Sequence, residues 1–469
     1  MRITNGMINN SMVLNIQRNT RLADMYYNQL ASGKKITLPS DDPTVASRAL
    51  RFRTNVSETE QYQKNVSQAQ SWTEITAQAF STVTEITKDI EELLVRGSTD
   101  TLTTEDRQKI MADISSMTEQ LKLEMNATYA GRYVFSGYRT DQAPTFIKDS
   151  EAEYQITQEF SLEDIQNTKY SHKPVANEAA TIGDTQILSL AYKNGETPSS
   201  ITVGGTTYSV VNVSQTSVSP NPYEQVDGQV TFIPETGELV LGEDVAKAME
   251  TGDLTVTYDK KGFTKGDINP VVYFDCTDIK TDSATYGLSY NMDGQNNMEY
   301  EIGVGSTINV NSLAKNVVTD KMIGELDRFI TTINGLTVSD ESVVRSKFVA
   351  EGLTGDELEA AIEEQLQLEE AQVKVVSQEL FSNALGKFED FASDISVQET
   401  NLGSRMNRLE LTATRLSDDY LSYTSLMNDN ENVDVAEAMM YFTSADAVYQ
   451  ASLKVGAMIS QLSLADYIS

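Results

Sequence analysis

Two long segments without proline constrain this chain more than any other feature. No proline occurs from Thr44 to Ala143, and none occurs from about residue 311 to the last residue, 469. Proline lacks a backbone N–H and clashes with the preceding helical turn, so its absence permits uninterrupted helices. In both segments apolar residues recur at steps of three, four and seven, which is the helical period. We therefore expect long helices towards both ends of the chain.

The first of these segments divides into two helices. One begins near Thr44 and ends at Gly97, where the sequence STDTLTTED predicts a turn. The next begins at Thr103 or Thr104, because these residues can cap a helix and the acidic residues after them suit its positive end. The short turn between the two helices predicts that they run antiparallel.

The C-terminal segment carries further apolar stripes at helical spacing. Eight acidic residues and no lysine or arginine lie between Glu351 and Glu370, a pattern that usually marks a solvated helix face. The final helix has a broad apolar stripe beside Gly456, which suits close helix packing. The helices from about residue 320 to 427 are expected to pack with those beginning near Thr44 and Thr103 as one antiparallel bundle.

Between about residues 139 and 314 the helical period gives way to strand signals. Gly204-Gly205 separates two strand-like runs in ITVGGTTYSVV, which predicts a two-residue hairpin turn. A second hairpin is predicted over 229–242, with its turn at 234–237, and further strands are predicted at 254–259, 271–276 and 299–310. We expect one or two small sheet domains here. The predicted fold class is α + β, with a β-rich insert between paired terminal helices.

The segment from Leu30 to Arg53 predicts a change of chain direction. Gly33 can end the first helix in the left-handed region, and Pro39 prevents the helix from continuing. Asp42 can cap the next helix and Pro43 can occupy its first position. These four residues form a predicted structural turn.

Residues 1 to about 38 form a polar amphipathic helix with a thin apolar stripe. Residues 1–53 contain eight Lys or Arg and three Asp, a local charge of +5 in an acidic chain. One interpretation is a solvated surface helix. The other is a helix that orders only against a partner helix or a neighbouring subunit. On the second interpretation, residues 1–38 and 430–469 are mobile in the isolated monomer and order on assembly.

The composition disfavours several functional classes. A net charge of −33 disfavours nucleic-acid binding, since phosphate recognition needs clustered cations. Cys276 and His172 are the sole residues of their types, which disfavours His/Cys zinc sites, and GVGSTINV lacks the residues of a nucleotide-binding loop. No catalytic, cofactor or metal site is predicted, so an enzyme is not expected. Neither a signal peptide nor a membrane-inserted segment is predicted.

Several motifs resemble those of the flagellin-type secreted axial proteins of bacteria. The N-terminal MRIT, the element LASGKKI, and PSDDP followed by ASRAL carry the resemblance, and the DDP form is closer to the hook-associated members than to flagellin. GRYVFSGYRTDQAPTF, LGSRMNRLE and SLKVGAMISQLSLADYIS extend it. Together these motifs span roughly the first 145 and the last 150 residues, and not the middle.

The resemblance implies a structural axial protein at the junction of flagellar hook and filament. It implies a terminal region of residues 1–40 with 430–469 that polymerises, a bundle of 41–138 with 315–429, and an outer insert of 139–314. The partners implied are other copies of the chain, a neighbouring hook-associated protein, flagellin, and an export chaperone at the C-terminal helix. The location implied is the extracellular flagellum, reached by type III export without a cleaved signal. The residues expected at the assembly interface are Met12, Ile16, Tyr26, Leu30, Met439, Phe442, Val455, Ile459 and Leu462.

Two alternative functions are compatible with a helix–sheet–helix order. A flagellin belongs to the same family. An extracellular adhesin with a β domain on a coiled-coil stalk has the same order of elements, but it does not predict the DDP motif or the C-terminal motifs.

Overall fold

The computed structural model of the protein describes residues 5–468 except 101, 174, 176–177 and 293–296, and it describes the side chains of the C-terminal helix up to residue 458. The chain divides into two compact units, and each is described by itself. The first unit contains residues 1–67, 301–307 and 409–469, and the second contains 68–300 and 308–408.

Long helices occupy both ends of the chain, and the α + β class is confirmed. The helices are α1 (Asn5–Ser32), α2 (Pro43–Gly97), α3 (Thr104–Glu124), α4 (Glu243–Ala248), α5 (Pro270–Tyr273), α6 (Asp320–Gly335), α7 (Glu341–Ala350), α8 (Asp356–Glu431) and α9 (Val435–Ile468). The predicted boundary at Thr103 is confirmed, because its side chain and that of Asp106 form a reciprocal capping box at the start of α3.

In the first unit, α1 lies antiparallel to α9, and the start of α2 lies antiparallel to the end of α8. Asn19 bonds to Ser452, and Tyr26 stacks on Tyr441, which fixes the direction of the first pair. In the second pair, the Gln63 side chain donates to the carbonyl oxygen of Leu416 at 3.1 Å.

In the second unit, the later part of α2 packs on the earlier part of α8. The Thr84 hydroxyl lies 3.3 Å from the carboxylate of Glu399, and the Phe381 ring fills the space beside Gly97, where no side chain would fit. The Lys122 ammonium of α3 lies 3.3 Å from the Asp327 carboxylate of α6. Trp72, expected in the core, is 2% exposed.

The acidic stretch of 351–370 has the solvated face that its composition predicts, since seven of its eight carboxylate residues are exposed. On the opposite face, Leu358 and Ile362 are buried against Val344 of α7. The guanidinium of Arg345 bridges Glu341 and Glu359, which joins the two helices at their surface.

The β-rich middle of the chain forms one ten-stranded sheet, together with two short hairpins. Its order is β12-β11-β3-β10-β6-β7-β8-β9-β5-β4, and the β7–β8 pair is parallel. The strands are β1 (Thr128–Tyr129), β2 (Arg132–Tyr133), β3 (Ser150–Phe160), β4 (Gln166–His172), β5 (Thr181–Ser189), β6 (Ser200–Val203), β7 (Thr206–Asn212), β8 (Gln229–Ile233), β9 (Glu238–Leu241), β10 (Leu254–Phe263), β11 (Asp275–Asp278), β12 (Ser289–Tyr290), β13 (Glu299–Gly303) and β14 (Ser306–Asn309).

The two predicted hairpins are confirmed. Val203 pairs with Thr206 across the two glycines, both of which have positive φ angles, 55° and 87°. Such angles are required at both central residues of a type I′ turn, and only glycine adopts them without strain. The second hairpin pairs β8 with β9, and Ile233 lies opposite Glu238.

The strand predicted over 271–276 is wrong. Pro270 to Tyr273 form the short helix α5, and the strand begins only at Asp275. The Asn269 side chain accepts a hydrogen bond from the Val271 N–H, and Pro270 supplies a first-turn φ angle. This local capping outweighs the strand preference of the two valines that follow the proline.

Candidate assembly interface

The inner face of α1 is the apolar stripe that the sequence predicts. Met12, Ile16, Ala23, Tyr26 and Leu30 are all half-buried along it, at steps of four, seven, three and four. This spacing keeps the five side chains on one face of a helix. The stripe faces α9, so the first helix covers its apolar face with the last one.

The opposing face of α9 is built from small residues alternating with aromatic ones. Ala438 and Gly456 are buried, and a Cβ atom at Gly456 would lie 3.3 Å from the Ile16 side chain. Tyr26 and Tyr441 stack with their ring centroids 5.5 Å apart. The small residues let the two helices approach closely, while the aromatic pair fixes their register.

Much of the apolar surface of α1 and α9 remains exposed in the monomer. The exposed large apolar residues are Met7, Ile8, Val13, Leu14, Leu22, Met25 and Tyr27 on α1, and Val435, Met439, Met440, Tyr441, Val448, Leu453, Val455 and Met458 on α9. Residues 435–468 contain only four charged side chains, at positions 437, 446, 454 and 466. A helix that is apolar on every side is normally buried.

Among the residues that the structure describes, no helix combines the length and the apolar character needed to cross a bilayer. A groove of about 720 Å³ runs between the two helices and is lined mainly by apolar side chains, among them Met7, Ile16, Val448 and Val455. Apolar surface of this extent on a pair of helices is typical of a protein interaction site.

The structure divides the predicted interface residues into three groups. Met12, Ile16, Tyr26, Leu30 and Phe442 are half-buried, the first four facing α9 and Phe442 packing against Tyr27 of α1. Met439 and Val455 are more exposed, at 55% and 52%, and Val455 also lines the groove between the two helices. Ile459 and Leu462 lie outside the residues whose side chains are described. Contact between copies through any of these residues stays a prediction.

The turn after α1 is held by its own side chains. Gly33 has a φ angle of 67°, in the left-handed region, and its N–H donates to the Gln29 carbonyl at 2.8 Å. Asp41 accepts hydrogen bonds from the N–H groups of Thr37 and Leu38, which lower the pKa of its carboxyl.

Asp42 caps α2, while Pro39 is exposed in the turn before it. One carboxylate oxygen of Asp42 accepts from the N–H groups of Thr44 and Val45, at 2.8 and 3.1 Å. Pro43 is the first residue of the helix. The N–H groups that α2 would leave without partners at its start are therefore satisfied.

A second turn, between α8 and α9, is tied to the first. Lys34 and Asn432 form an isolated antiparallel bridge, and the Lys35 N–H donates to the Glu431 carbonyl at 2.7 Å. Asp434 caps α9 by accepting from the N–H groups of Ala436 and Glu437. The two turns hold the α1/α9 pair at one fixed joint.

Glu431 is the centre of this joint. Its side chain is 6% exposed and accepts two hydrogen bonds from Arg53, at 2.6 and 2.8 Å, and one from Lys34 at 3.2 Å. Hydrogen bonds from Arg53, followed by those from Lys34, hold the pKa of the Glu431 carboxyl below its usual range. Sequence reasoning missed this residue, although the break DNENVD and the Asp434 cap marked a second turn.

Comparison with known proteins identifies the two ends of the chain. Residues 3–140 match the family model of the bacterial flagellin N-terminal helical region, and residues 385–468 match that of the flagellin C-terminal helical region. Both ends of the chain are therefore similar to the helical regions of flagellin. The flagellin-type N-terminal region includes α1 and the turn to α2, and the C-terminal region includes the Glu431 joint and α9.

Two curated relatives are similar to the chain over a shorter stretch. The flagellar hook-associated protein 3 of Escherichia coli is 33% identical over 120 residues, and that of Salmonella typhimurium is 32% identical over 117. Each alignment covers 25% of this chain, and the chain spans 38% and 37% of the relatives' lengths.

A wider but weaker likeness exists to a solved structure. The crystal structure of the flagellar junction protein FlgL from Legionella pneumophila aligns with 82% of this chain and 100% of its own. The identity is 12% and the TM-score is 0.32.

Proposed function

We propose that this chain is a structural axial protein of the bacterial flagellum that forms the junction between hook and filament. The observation that carries the proposal is the uncovered apolar surface of α1 and α9, the helices that lie in its flagellin-type ends. A subunit of a tube buries such a surface against its neighbours, which replaces the water that contacts it in the monomer.

The relatives that the chain resembles favour the junction over the filament itself. Both curated relatives carry the name hook-associated protein 3. The DDP sequence at residues 41–43 agrees with that assignment. The role proposed is assembly, so binding and positioning are assigned to the helices and no catalytic step to any residue.

The proposed partners follow from this role. They are other copies of the chain, a neighbouring hook-associated protein on one side and flagellin on the other. An export chaperone would cover the apolar C-terminal helix α9 before secretion. The proposed location is the extracellular flagellum, reached by type III export without a cleaved signal peptide.

A second candidate is a filament subunit, favoured by the flagellin models that match both ends. The two roles differ in the phenotype of cells that lack the protein. Loss of the junction leaves intact hooks without filaments and releases filament subunits into the medium. Loss of a filament subunit leaves hooks without filaments and no such subunits in the medium.

The deciding experiment is electron microscopy of deletion cells combined with electrophoresis of the culture medium. We expect bare hooks and secreted filament subunits, and a plasmid copy of the gene should restore attached filaments. Deletion cells that keep normal attached filaments would refute both candidate roles. Bare hooks without any secreted subunit would favour the filament role.

A further inference from the structure

The first unit carries two surfaces of opposite charge. Residues 43–57, at the start of α2, contain three arginines and no acidic residue. Arg53 is used internally, since it bonds to Glu431. Arg48 and Arg51 are exposed, and in the part of the chain that the structure describes neither has an ion-pair partner.

The two exposed arginines point away from the joint. An α-helix turns by about 100° per residue, so Arg48 and Arg51 lie roughly 150° around α2 from Arg53. Because Arg53 faces α8, the two free guanidinium groups face outwards. They extend from an exposed face of α2.

The acidic surface lies beside the same joint. A groove of about 560 Å³ is lined by the carboxylates of Asp429, Asp434 and Glu437 and by the stacked rings of Tyr26 and Tyr441. Lys35 also lines it, and its ammonium group bonds to the Asp429 carbonyl. The groove therefore keeps an excess of negative charge beside two aromatic rings, which suits a guanidinium group.

Within one copy Arg53 is bonded to Glu431 at 2.6 Å, while, among the described residues, Arg48 and Arg51 form no ion pair with the groove. Both surfaces lie close to that contact in the chain: Arg48 and Arg51 precede Arg53 by five and two residues, and the three carboxylates of the groove lie within six residues of Glu431. A contact between the arginines of one copy and the groove of another would join two different surfaces of the chain. A head-to-tail contact of this kind closes into a ring when the rotation between copies permits.

We propose that Arg48 and Arg51 of one copy dock in the acidic groove of the neighbouring copy of this chain. The contact rests on the proposed axial function and specifies one surface through which that assembly forms. Exposed like-charged faces repel and opposite ones attract, so the arrangement also sets which sides of two copies can meet.

Charge reversal in cells tests the contact. Arg48→Glu with Arg51→Glu should abolish filament attachment, and so should Asp429→Lys with Glu437→Lys. The variant carrying all four changes should regain attached filaments, and Arg132→Glu, at an exposed arginine of the second unit, should behave as wild type. Normal attachment with both arginines reversed, or no recovery in the four-fold variant, would overturn the proposal.

Cross-linking gives a readout that does not depend on charge. The one native cysteine, Cys276, is buried, so cysteines introduced at Arg51 and Glu437 report only on each other. Oxidised flagella carrying both substitutions should yield linked oligomers on a non-reducing gel, and each single variant should yield monomers. If deletion cells lose their filaments but no linked oligomers form, the axial function stands and this contact is wrong.

Discussion

At the scale of single residues, the helix caps and the ion pair between Arg53 and Glu431 decide how firmly α1 and α9 are held. Asp42 satisfies two N–H groups at the start of α2 with one carboxylate oxygen. Alanine at this position leaves both groups to water, so Asp42→Ala should destabilise the unit by about 1 kcal/mol. Chemical denaturation of the purified variant measures this. If the joint positions the terminal helices for assembly, filament attachment in cells should also weaken.

Pro43→Ala is the matched control for the cap. Alanine is acceptable in the first turn of a helix, and the main loss is rigidity of the unfolded chain, so the destabilisation should be smaller than for Asp42→Ala. An Asp42→Ala variant with unchanged denaturation and normal filament attachment would contradict the role given to this turn.

The Glu431 carboxylate predicts a pH dependence of the joint. Its pKa in the folded protein lies below the ordinary 4.5, chiefly because Arg53 donates hydrogen bonds to it. Because this pKa is depressed, the ionised carboxylate stabilises the folded protein fully above pH 4.5. That stability is lost as the pH falls through the lower pKa of the folded state. Glu431→Gln should therefore lower the melting temperature at neutral pH, and the gap from wild type should close in acid. An equal gap at every pH would exclude this charge effect.

At the scale of elements, local signals were enough for the helices and hairpins. Each of these signals depends on residues that are close together in the chain: the spacing of the apolar residues, the Thr103 cap and the Gly204-Gly205 turn. The bridge between Lys34 and Asn432 joins segments nearly 400 positions apart, so no local pattern contains it. The same holds for the parallel pairing of β7 with β8. The expected interface residues came from the apolar stripes of the first and last helices, but α1 turns its stripe inwards, whereas α9 exposes Met439 and Val455.

Gly456 controls how closely α1 and α9 can pack. A Cβ atom there would lie 3.3–3.4 Å from the side chains of Ile16 and Met12, so Gly456→Leu should push the helices apart. Gly403 on α8 has nothing within 4 Å, and Gly403→Ala should stabilise its helix by up to about 1 kcal/mol. Thermal unfolding of the two variants should shift in opposite directions. A stabilised Gly456→Leu protein would show that the helices do not pack this way in solution.

The α1/α9 pair should be the least stable part of the isolated monomer. Its apolar outer faces lack cover, and residues 1–38 and 430–469 should exchange their amide hydrogens faster than the helical core of α2 and α8. Assembly should slow the exchange of the same segments. Strong protection of both segments in dilute monomer would contradict the prediction and would favour the interpretation of α1 as an ordinary surface helix.

At the scale of the whole molecule, the proposed function requires that the apolar surface of the terminal helices act between subunits and not within one. Met440 is 60% exposed on α9, and Leu368 is 61% exposed on α8, so the two positions are matched in exposure. Lysine at either position should change the free energy of unfolding of the monomer by less than about 0.5 kcal/mol.

The two substitutions should nevertheless differ in cells. Met440→Lys places a charge where a neighbouring subunit would exclude water, and burying an unpaired ammonium group is costly, so filaments should no longer attach. Leu368→Lys leaves the terminal helices unchanged, so attachment should remain normal. Electron microscopy of both strains, with equal amounts of exported variant verified by immunoblot, makes the comparison. Attachment that survives Met440→Lys would place this face of α9 outside the assembly and leave its exposed methionines without the role proposed for them.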